Sequence, residues 1–482
     1  MHLSISMRIL GLLLMLFSTT LLAPLVVALL DDDDTVASFL GALGLTFAAG
    51  LALWLPVQHV RHELRIRDGF LVTSLFWTVL GIFGALPLAL TETLQLSPME
   101  AIFESISGLT TTGATVITGL DHLPRSILIY RQLLQWLGGI GIIVIAVAIL
   151  PMLGIGGMQL YRAEIPGPTK DRKLTPRIAE TAKALFTVYV VLTGVCALAY
   201  YVAGMSGFDA VAHAFSTVAI GGFSTHDSSM GYFDSNTILL ICSLFMTVSA
   251  MNFGLHFLAL RRRSLGNYRQ DSESRFFLGV LLTGIAITCS YLIISETLPL
   301  GDSLVHGLFQ TVSIATTTGF ATQDFSVWPT FLPMLLLMFS FMGGCVGSTA
   351  GGIKAVRTML ICKQGIREMK QLVHPKAVIP LKVGRRRVDA KIISAVWSFF
   401  AVYMFVFVTV MLLLMATGLD FLTAFSAVAA SLNNLGPGLG DVAANYAGIN
   451  DTAKALLCLA MLLGRLEIFT LLVLFTPMFW RI

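Results

Sequence analysis

The chain has few charged residues. Asp, Glu, Lys and Arg together make up 12% of its 482 residues, about half the share of a typical soluble domain. Hydrophobic residues make up 56%, and the mean hydropathy is +0.83. So apolar a chain has too little polar surface to cover an exterior in contact with water. The composition therefore excludes a soluble enzyme, a disordered protein and a nucleic-acid-binding protein.

Cysteines are also few, and they are scattered. None of the six belongs to a CxxC pair, and most lie inside apolar runs: Cys196, Cys242, Cys289, Cys345, Cys362 and Cys458. This scatter excludes both a disulfide framework and a zinc site. We interpret these residues as small apolar packing residues.

What the chain has in abundance is long hydrophobic stretches. About 20 apolar residues cross the ~30 Å hydrocarbon core of a bilayer. Ten stretches qualify: 9–30, 35–58, 70–90, 132–157, 184–205, 237–260, 276–295, 327–353, 392–418 and 455–480. The first is too long for a signal peptide and lacks a clear cleavage site, so we expect it to be retained. The sequence predicts an all-α, multi-pass integral membrane protein with ten transmembrane helices.

The basic residues indicate the orientation. With both termini in the cytoplasm, the inner segments hold all but four of the 31 Lys and Arg residues, as the positive-inside rule requires. The outer side holds 17 of the 27 Asp and Glu residues. An acidic outer face concentrates cations and repels anions. Positive-inside sorting alone is the alternative explanation, but that rule does not call for so many outer acids.

A fourfold repeat follows the first two spans. The remaining eight spans form four pairs, and each outer connection holds about 14 semi-apolar residues followed by a polar stretch with glycine. A helix of ~14 residues is about 21 Å long, too short to cross the bilayer. We therefore predict two accessory helices in 1–60 and four span–pore-helix–span repeats around a pseudo-fourfold pore, in 61–160, 161–263, 264–388 and 389–482.

The polar stretches align on four glycines. The first and third stretches read Thr-Thr-Thr-Gly, whereas the second and fourth lack the threonines. Extended backbone of this kind can point carbonyl oxygens at an axis and replace the hydration shell of a cation. A single stretch would be read as an ordinary outer loop, but four in register favour a filter. Its candidate residues are Thr110, Thr111, Thr112, Gly113, Ala219, Ile220, Gly221, Gly222, Thr316, Thr317, Thr318, Gly319, Asn433, Asn434, Leu435 and Gly436.

The eighth span carries five glycines in residues 343–352. Each costs about 1 kcal/mol relative to alanine in a straight helix. We predict an unwound intramembrane loop that acts as a gate below the filter. Close helix packing through small residues is the alternative, although it does not explain a contiguous run. The candidate gate residues are Gly343, Gly344, Gly347, Ser348, Thr349, Gly351 and Gly352.

A single arginine, Arg465, lies deep within the last span. A charge at that depth is costly and seldom faces lipid. One hypothesis is that Arg465 faces the conduction path and belongs to the gate. The other is that it forms a structural pair with a carbonyl or an acid of a neighbouring helix, and the two agree if the arginine bonds the 343–352 loop. Glu467 is two residues away and therefore points elsewhere on a helix.

These residues resemble the Trk/Ktr/HKT superfamily of potassium transporters, and within it the bacterial TrkH/TrkG branch. The resemblance covers essentially the whole chain. It rests on the four filter glycines, the loop 343–352, the motif Gly464–Glu467 and the segment Gly157–Glu164. Together these features are specific, although none is specific alone.

The resemblance implies K⁺ uptake across the bacterial inner membrane, by homodimers whose protomers each contain a pore. It also implies a cytosolic, TrkA-like, nucleotide-binding ring that regulates the gate, with no cofactor on this chain. The K⁺ ligands would be Thr111, Thr112, Ile220, Gly221, Thr317, Thr318, Asn434 and Leu435. K⁺ symport with Na⁺ or H⁺ on the same fold is the alternative. A membrane enzyme is disfavoured because the acidic residues and the nine histidines do not cluster.

Overall fold

The structure is a computed structural model that describes residues 3–60, 66–144, 174–384 and 386–480. The segment Gly157–Glu164 and the second half of the fourth predicted span lie outside the described residues. The α-helices of the described part are Leu3–Thr20, Leu22–Asp31, Val36–Trp54, Ile66–Phe83, Leu86–Leu90, Pro98–Leu109, Arg125–Val144, Leu174–Val202, Gly207–Ala219, Asn236–Ser249, Phe253–Arg262, Gly266–Gln270, Ser272–Ile294, Leu300–Ala315, Phe331–Met342, Ala355–Val373, Ala390–Ala416, Phe421–Leu432, Asp451–Arg465, Phe469–Leu472 and Pro477–Trp480. One antiparallel hairpin pairs Lys382–Val383 with Arg386–Arg387.

Six helical stretches within the described residues, none with a sharp bend, are long and apolar enough to cross a membrane. They match the first, second, third, fifth, seventh and ninth predicted spans: Leu3–Asp31, Val36–Val57, Arg67–Leu90, Ala182–Val202, Ser272–Ile294 and Ala390–Ala416. Only 28–44% of their residues are buried inside the protein. Their apolar outer surfaces therefore suit contact with hydrocarbon, and the prediction of an all-α membrane protein is confirmed.

The sixth and tenth predicted spans each consist of two helices joined at a sharp bend, a feature that the sequence did not predict. Asn236–Ser249 meets Phe253–Arg262 at 96°, and Asp451–Arg465 meets the segment Phe469–Phe475 at 108°. At the first bend the side chain of Asn252 accepts a hydrogen bond from the Gly254 amide at 2.7 Å and starts a new helix. Hydropathy alone cannot detect either break, since both sides of each bend are apolar.

The eighth predicted span also departs from a full-length helix. Its helical part is Phe331–Met342, only 12 residues. The chain then leaves the helix at Gly343, whose φ is 63°, and becomes helical again at Ala355. The predicted unwound loop is therefore present.

Four short helices occupy the predicted outer connections, and we call them the first to fourth half-helices. They contain 12, 13, 16 and 12 residues: Pro98–Leu109, Gly207–Ala219, Leu300–Ala315 and Phe421–Leu432. The first begins with a reciprocal capping box between Ser97 and Glu100, which satisfies two helix-terminal amides. Most of their residues are buried, so the half-helices form the centre of the protein rather than its surface.

The buried apolar side chains fall into two main groups around that centre. One group joins the N-terminal helices to the first and fourth half-helices, through residues such as Leu14, Phe103 and Val428. The other joins the second and third half-helices to their spans, through residues such as Val218 and Phe309. The two groups therefore pack all four half-helices against the surrounding spans.

Candidate functional site

All four half-helices end in the same backbone conformation. The residue two positions before each aligned glycine has a positive φ of 52–65°, and the glycine itself has a φ of 82–99°. These residues are Thr111, Ile220, Thr317 and Asn434, followed by Gly113, Gly222, Gly319 and Gly436. A side chain held in this left-handed region costs about 1–3 kcal/mol, and such strain concentrates at functional sites. The four stretches are thus structurally equivalent despite their different sequences.

One hydrogen bond recurs in each stretch and fixes this conformation. The amide of the residue before the glycine donates to the carbonyl five residues earlier, over 2.7–2.9 Å. The four bonds are Thr112 to Ser107, Gly221 to Ser216, Thr318 to Ser313 and Leu435 to Ala430. The backbone therefore repeats fourfold even where the threonines are missing. We call 110–114, 219–223, 316–320 and 433–437 the first to fourth glycine segments.

The glycine segments form a closed ring. A Cβ atom added to each aligned glycine would meet the carbonyl oxygen of the next segment, at 2.1, 2.1, 2.0 and 2.7 Å. The pairs run in order and return to the start: Gly113 to Gly221, Gly222 to Thr318, Gly319 to Leu435 and Gly436 to Thr112. No side chain fits at the first three contacts. The sixteen predicted filter residues are brought together by this arrangement.

A cavity of about 530 Å³ lies against the ring on its predicted outer side. It touches all four aligned glycines, and its wall includes Asp227 and Asp324 from the predicted acidic outer face. His226 also lines the cavity, and its Nδ1 lies 2.5 Å from a carboxylate oxygen of Asp121. The hydrogen bond from His226 lowers the pKa of Asp121 below its ordinary value of 3.8. Carboxylates at this mouth make the approach to the ring favourable for cations.

The loop 343–352 contacts the opposite end of the glycine segments. The Gly351 amide donates to Thr317 Oγ1 at 2.8 Å, and the Gly352 amide donates to the Asn433 carbonyl at 3.0 Å. The Thr349 hydroxyl donates to the Val218 carbonyl at 3.0 Å. The loop is therefore bonded to the second, third and fourth repeats directly below the ring.

Glycine is required in this loop by close backbone contacts. A Cβ on Gly351 would lie 1.9 Å from the Asn433 carbonyl oxygen, and one on Gly343 would lie 2.1 Å from the Gly351 carbonyl oxygen. Helix packing through small residues, the alternative reading of this run, does not describe the segment, because it is not helical. All seven predicted gate residues of the loop lie below the ring.

Arg465 is buried, with 6% of its surface exposed, and it bonds the loop. Its Nη1 donates to the Thr349 carbonyl at 3.1 Å. Within the described part of the chain, Nε and Nη2 have no hydrogen-bond partner. Glu467 is not its partner, since that carboxylate accepts from Arg357 at 2.5 Å. The arginine thus makes the carbonyl contact of the structural hypothesis, and it makes that contact with the predicted gate.

Glu273 is a site residue that the sequence did not indicate. One of its carboxylate oxygens accepts hydrogen bonds from the amides of Val346 and Val356, at 2.8 and 3.1 Å. These two residues lie within the loop and just after it, so Glu273 ties its two sides together. The nearer bond spans 73 positions of the chain, and no local motif marks such a pair.

Comparison with known proteins agrees with this architecture. The TrkH family model, described as a cation transport protein, matches residues 37–482. The Trk system potassium uptake protein TrkH of Halomonas elongata is 57% identical over 481 residues, and that of Escherichia coli K12 is 54% identical over 485; each alignment covers 100% of both chains. The crystal structure of the potassium transporter TrkH from Vibrio parahaemolyticus superposes with a TM-score of 0.94, at 52% identity and 100% coverage of both chains.

Proposed function

The chain belongs to the TrkH family of cation transport proteins, and from this premise we propose that it takes up K⁺ through the ring of glycine segments. Two relatives that match it along their whole length are named as potassium uptake proteins. The observation that carries the proposal is the closed ring of four equivalent backbone segments. Membership of a bacterial transporter family also makes it a protein of the inner membrane and points away from an enzyme.

The proposed filter uses backbone carbonyl oxygens to replace the hydration shell of K⁺. Several threonine hydroxyls are engaged within their own segments and are not directed at an ion. Thr110 bonds Thr112 at 2.7 Å, and Thr316 bonds Thr318 at 2.8 Å. The second and fourth segments therefore contribute carbonyls at equivalent backbone positions without threonine, and the backbone departs from fourfold symmetry at Gly436, where φ is 99° and the ring contact is 2.7 Å.

The proposed gate is the loop 343–352 together with Arg465. In the structure the loop is bonded to three of the four repeats below the ring, and the guanidinium places a positive charge beside it. Both features oppose the passage of a cation. Opening requires the Gly351, Gly352 and Thr349 bonds to be exchanged, so the closed loop is held by several weak contacts that a modest input of free energy can overcome.

We propose that this input comes from a cytosolic, TrkA-like, nucleotide-binding ring acting on a homodimer. The helix Ala355–Val373 begins directly after the loop and carries basic residues towards the predicted inner side. Both termini would lie on that side. A partner that displaces this helix would pull on the loop without any contact with the pore.

The test is uptake of K⁺ or Rb⁺ by proteoliposomes containing the purified protein, with and without the cytosolic partner. We expect uptake down the electrochemical gradient. No flux in either condition would overturn the proposal. Reversal potentials that follow the Na⁺ or H⁺ gradient would instead identify coupled symport on the same fold.

A further inference from the structure

A buried ion pair lies beside the outer end of the ring. Arg131 and Glu104 are 1% and 0% exposed, and Arg131 Nε lies 2.8 Å from a Glu104 carboxylate oxygen. Glu104 belongs to the first half-helix, and Arg131 to the helix Arg125–Val144. Burying two charges costs so much desolvation that such a pair adds little stability compared with apolar packing. Its presence therefore calls for another role.

The pair is bonded to the residues that follow two of the aligned glycines. Glu104 accepts from the Val116 amide at 2.9 Å and from the Thr115 hydroxyl at 3.0 Å. Arg131 donates to the Ser224 carbonyl at 3.1 Å, and its guanidinium carbon lies 4.2 Å from the centre of the Phe223 ring. The ion pair thus joins the chain leaving the first glycine segment to the chain leaving the second.

Gln135, one helical turn after Arg131, braces the second segment directly. Its side-chain amide donates to the Gly221 carbonyl at 2.6 Å, and its oxygen accepts from the Phe223 amide at 3.1 Å. Gly221 supplies the carbonyl oxygen that faces Gly113 in the ring. A side chain on the helix Arg125–Val144 therefore fixes one of the four ring oxygens by a direct hydrogen bond.

This charged brace occurs at one place in the ring. Glu104 stands nine residues before Gly113, and the residues in the same register before the other aligned glycines are His213, Gln310 and Ala427. Of the four, Glu104 alone is a carboxylate. The second segment is also the one with Ala219-Ile220 in place of threonines. The brace therefore supports one of the two segments that lack the hydroxyl bonds of the first and third.

We propose that Arg131, Gln135 and Glu104 are positioning residues that set the selectivity of the ring for K⁺ over Na⁺. They hold the first and second segments at a separation that suits the larger ion and prevent collapse onto the smaller one. This inference rests on the proposed K⁺ uptake function and adds to it the residues that determine specificity. None of the three needs to touch the ion.

Competition between ions for uptake measures the effect of these residues on selectivity. Rb⁺ uptake into proteoliposomes is titrated with K⁺ and with Na⁺, and the ratio of the two inhibition constants gives the selectivity. For Gln135→Met and Arg131→Lys we expect this ratio to fall about tenfold, equivalent to ~1.4 kcal/mol, while Rb⁺ uptake persists. Lysine keeps the charge but cannot bond Glu104, Thr115 and Ser224 together, since it lacks the planar fork of arginine.

Two further variants separate positioning from folding. In Glu104→Gln/Arg131→Met both charges are removed, so no unpaired charge remains buried and the fold is retained; we expect its selectivity to be reduced as well. Glu100→Gln is the matched control, because Glu100 lies one turn earlier on the same half-helix and pairs with Lys454 at 2.9 Å, away from the glycine segments. Its selectivity should equal that of the wild type.

The outcomes are distinguishable. Folded variants with the wild-type ratio, or a control that loses selectivity to the same extent, would overturn the inference while leaving K⁺ uptake in place. A wild-type protein without Rb⁺ or K⁺ flux would instead reject the proposed function, and the inference with it.

Discussion

Alanine at the four aligned glycines should impair uptake in an order set by the ring contacts. Cβ atoms in proteins do not approach other heavy atoms within 3.0 Å, and the added atoms would lie at 2.0–2.1 Å in three positions and at 2.7 Å in the fourth. The neighbouring carbonyl must therefore move by about 1 Å for Gly113, Gly222 and Gly319, but by only about 0.3 Å for Gly436, because a packed interior leaves no other space.

These displacements bracket the tolerance of a binding site, which is about 0.5 Å. We therefore expect Gly113→Ala, Gly222→Ala and Gly319→Ala to reduce K⁺ uptake by more than about tenfold, a loss of ~1.4 kcal/mol or more. Gly436→Ala should retain measurable uptake. The conformational penalty for alanine at positive φ, about 1–2 kcal/mol, is common to all four and does not produce this ranking.

Gly119→Ala is the control for that common penalty. Gly119 has a φ of +74° but no atom within 4 Å of an added Cβ, so alanine there has the conformational cost without the collision. Rb⁺ uptake into proteoliposomes, at equal amounts of monodisperse protein, compares the five variants. Wild-type uptake by Gly319→Ala, or equal damage from Gly119→Ala, would refute the ring as the origin of the effect.

Three further predictions concern the gate and the outer mouth. Arg465→Ala and a loop shortened within 343–352 should both raise flux, because each removes contacts that hold the loop below the ring. Unchanged conductance in both variants would show that the arginine and the loop serve only packing. Glu273→Gln should raise basal flux, because a hydrogen bond to a charged acceptor contributes about 1.5–3 kcal/mol to stability and one to a neutral acceptor nearer 1. Asp271→Asn, which retains a helix-capping side chain, should leave basal flux unchanged. Equal flux in the two variants would argue against a role for Glu273 in holding the loop. The pKa of Asp121 is lowered, so its contact with His226 stabilises the fold above pH 3.8, and this stabilisation is lost as the pH falls through the folded pKa. The melting temperatures of the wild type and Asp121→Asn should therefore converge in acid. A constant difference from pH 7 to pH 3 would contradict this.

Local requirements made much of the site predictable from the sequence. A backbone position at positive φ favours glycine whatever the rest of the chain does. Gly113 and the five glycines of the loop 343–352 can therefore be recognised from the local sequence. The fourfold repeat in the sequence allowed the other three glycine segments to be aligned with the first. The family resemblance rested on the same residues, and the comparisons confirm it.

Long-range contacts account for what the sequence did not reveal. In the sequence Arg131 is only one of the four basic residues outside the inner segments, because its partner Glu104 lies 27 positions away and no local motif joins the two. The bend after Ser249 escaped notice for a similar reason. The carbonyl of Ala250 is free to leave the helix because the Cys345 amide bonds it at 2.8 Å, and that amide belongs to another repeat.

The closed order of the ring has a consequence for biosynthesis. Chains are made and inserted from the N-terminus, yet the ring closes only when the fourth segment reaches the first, as in the bond from Asn434 to Thr112 across 322 positions. A nascent chain that ends before this segment contains only three of the four glycine segments. The helix Asp451–Arg465 of the same repeat also brings Arg465 to the Thr349 carbonyl. The fourth repeat therefore supplies both the last glycine segment of the ring and the contact of Arg465 with the loop 343–352, so neither the closed ring nor this contact can form before that repeat has been inserted.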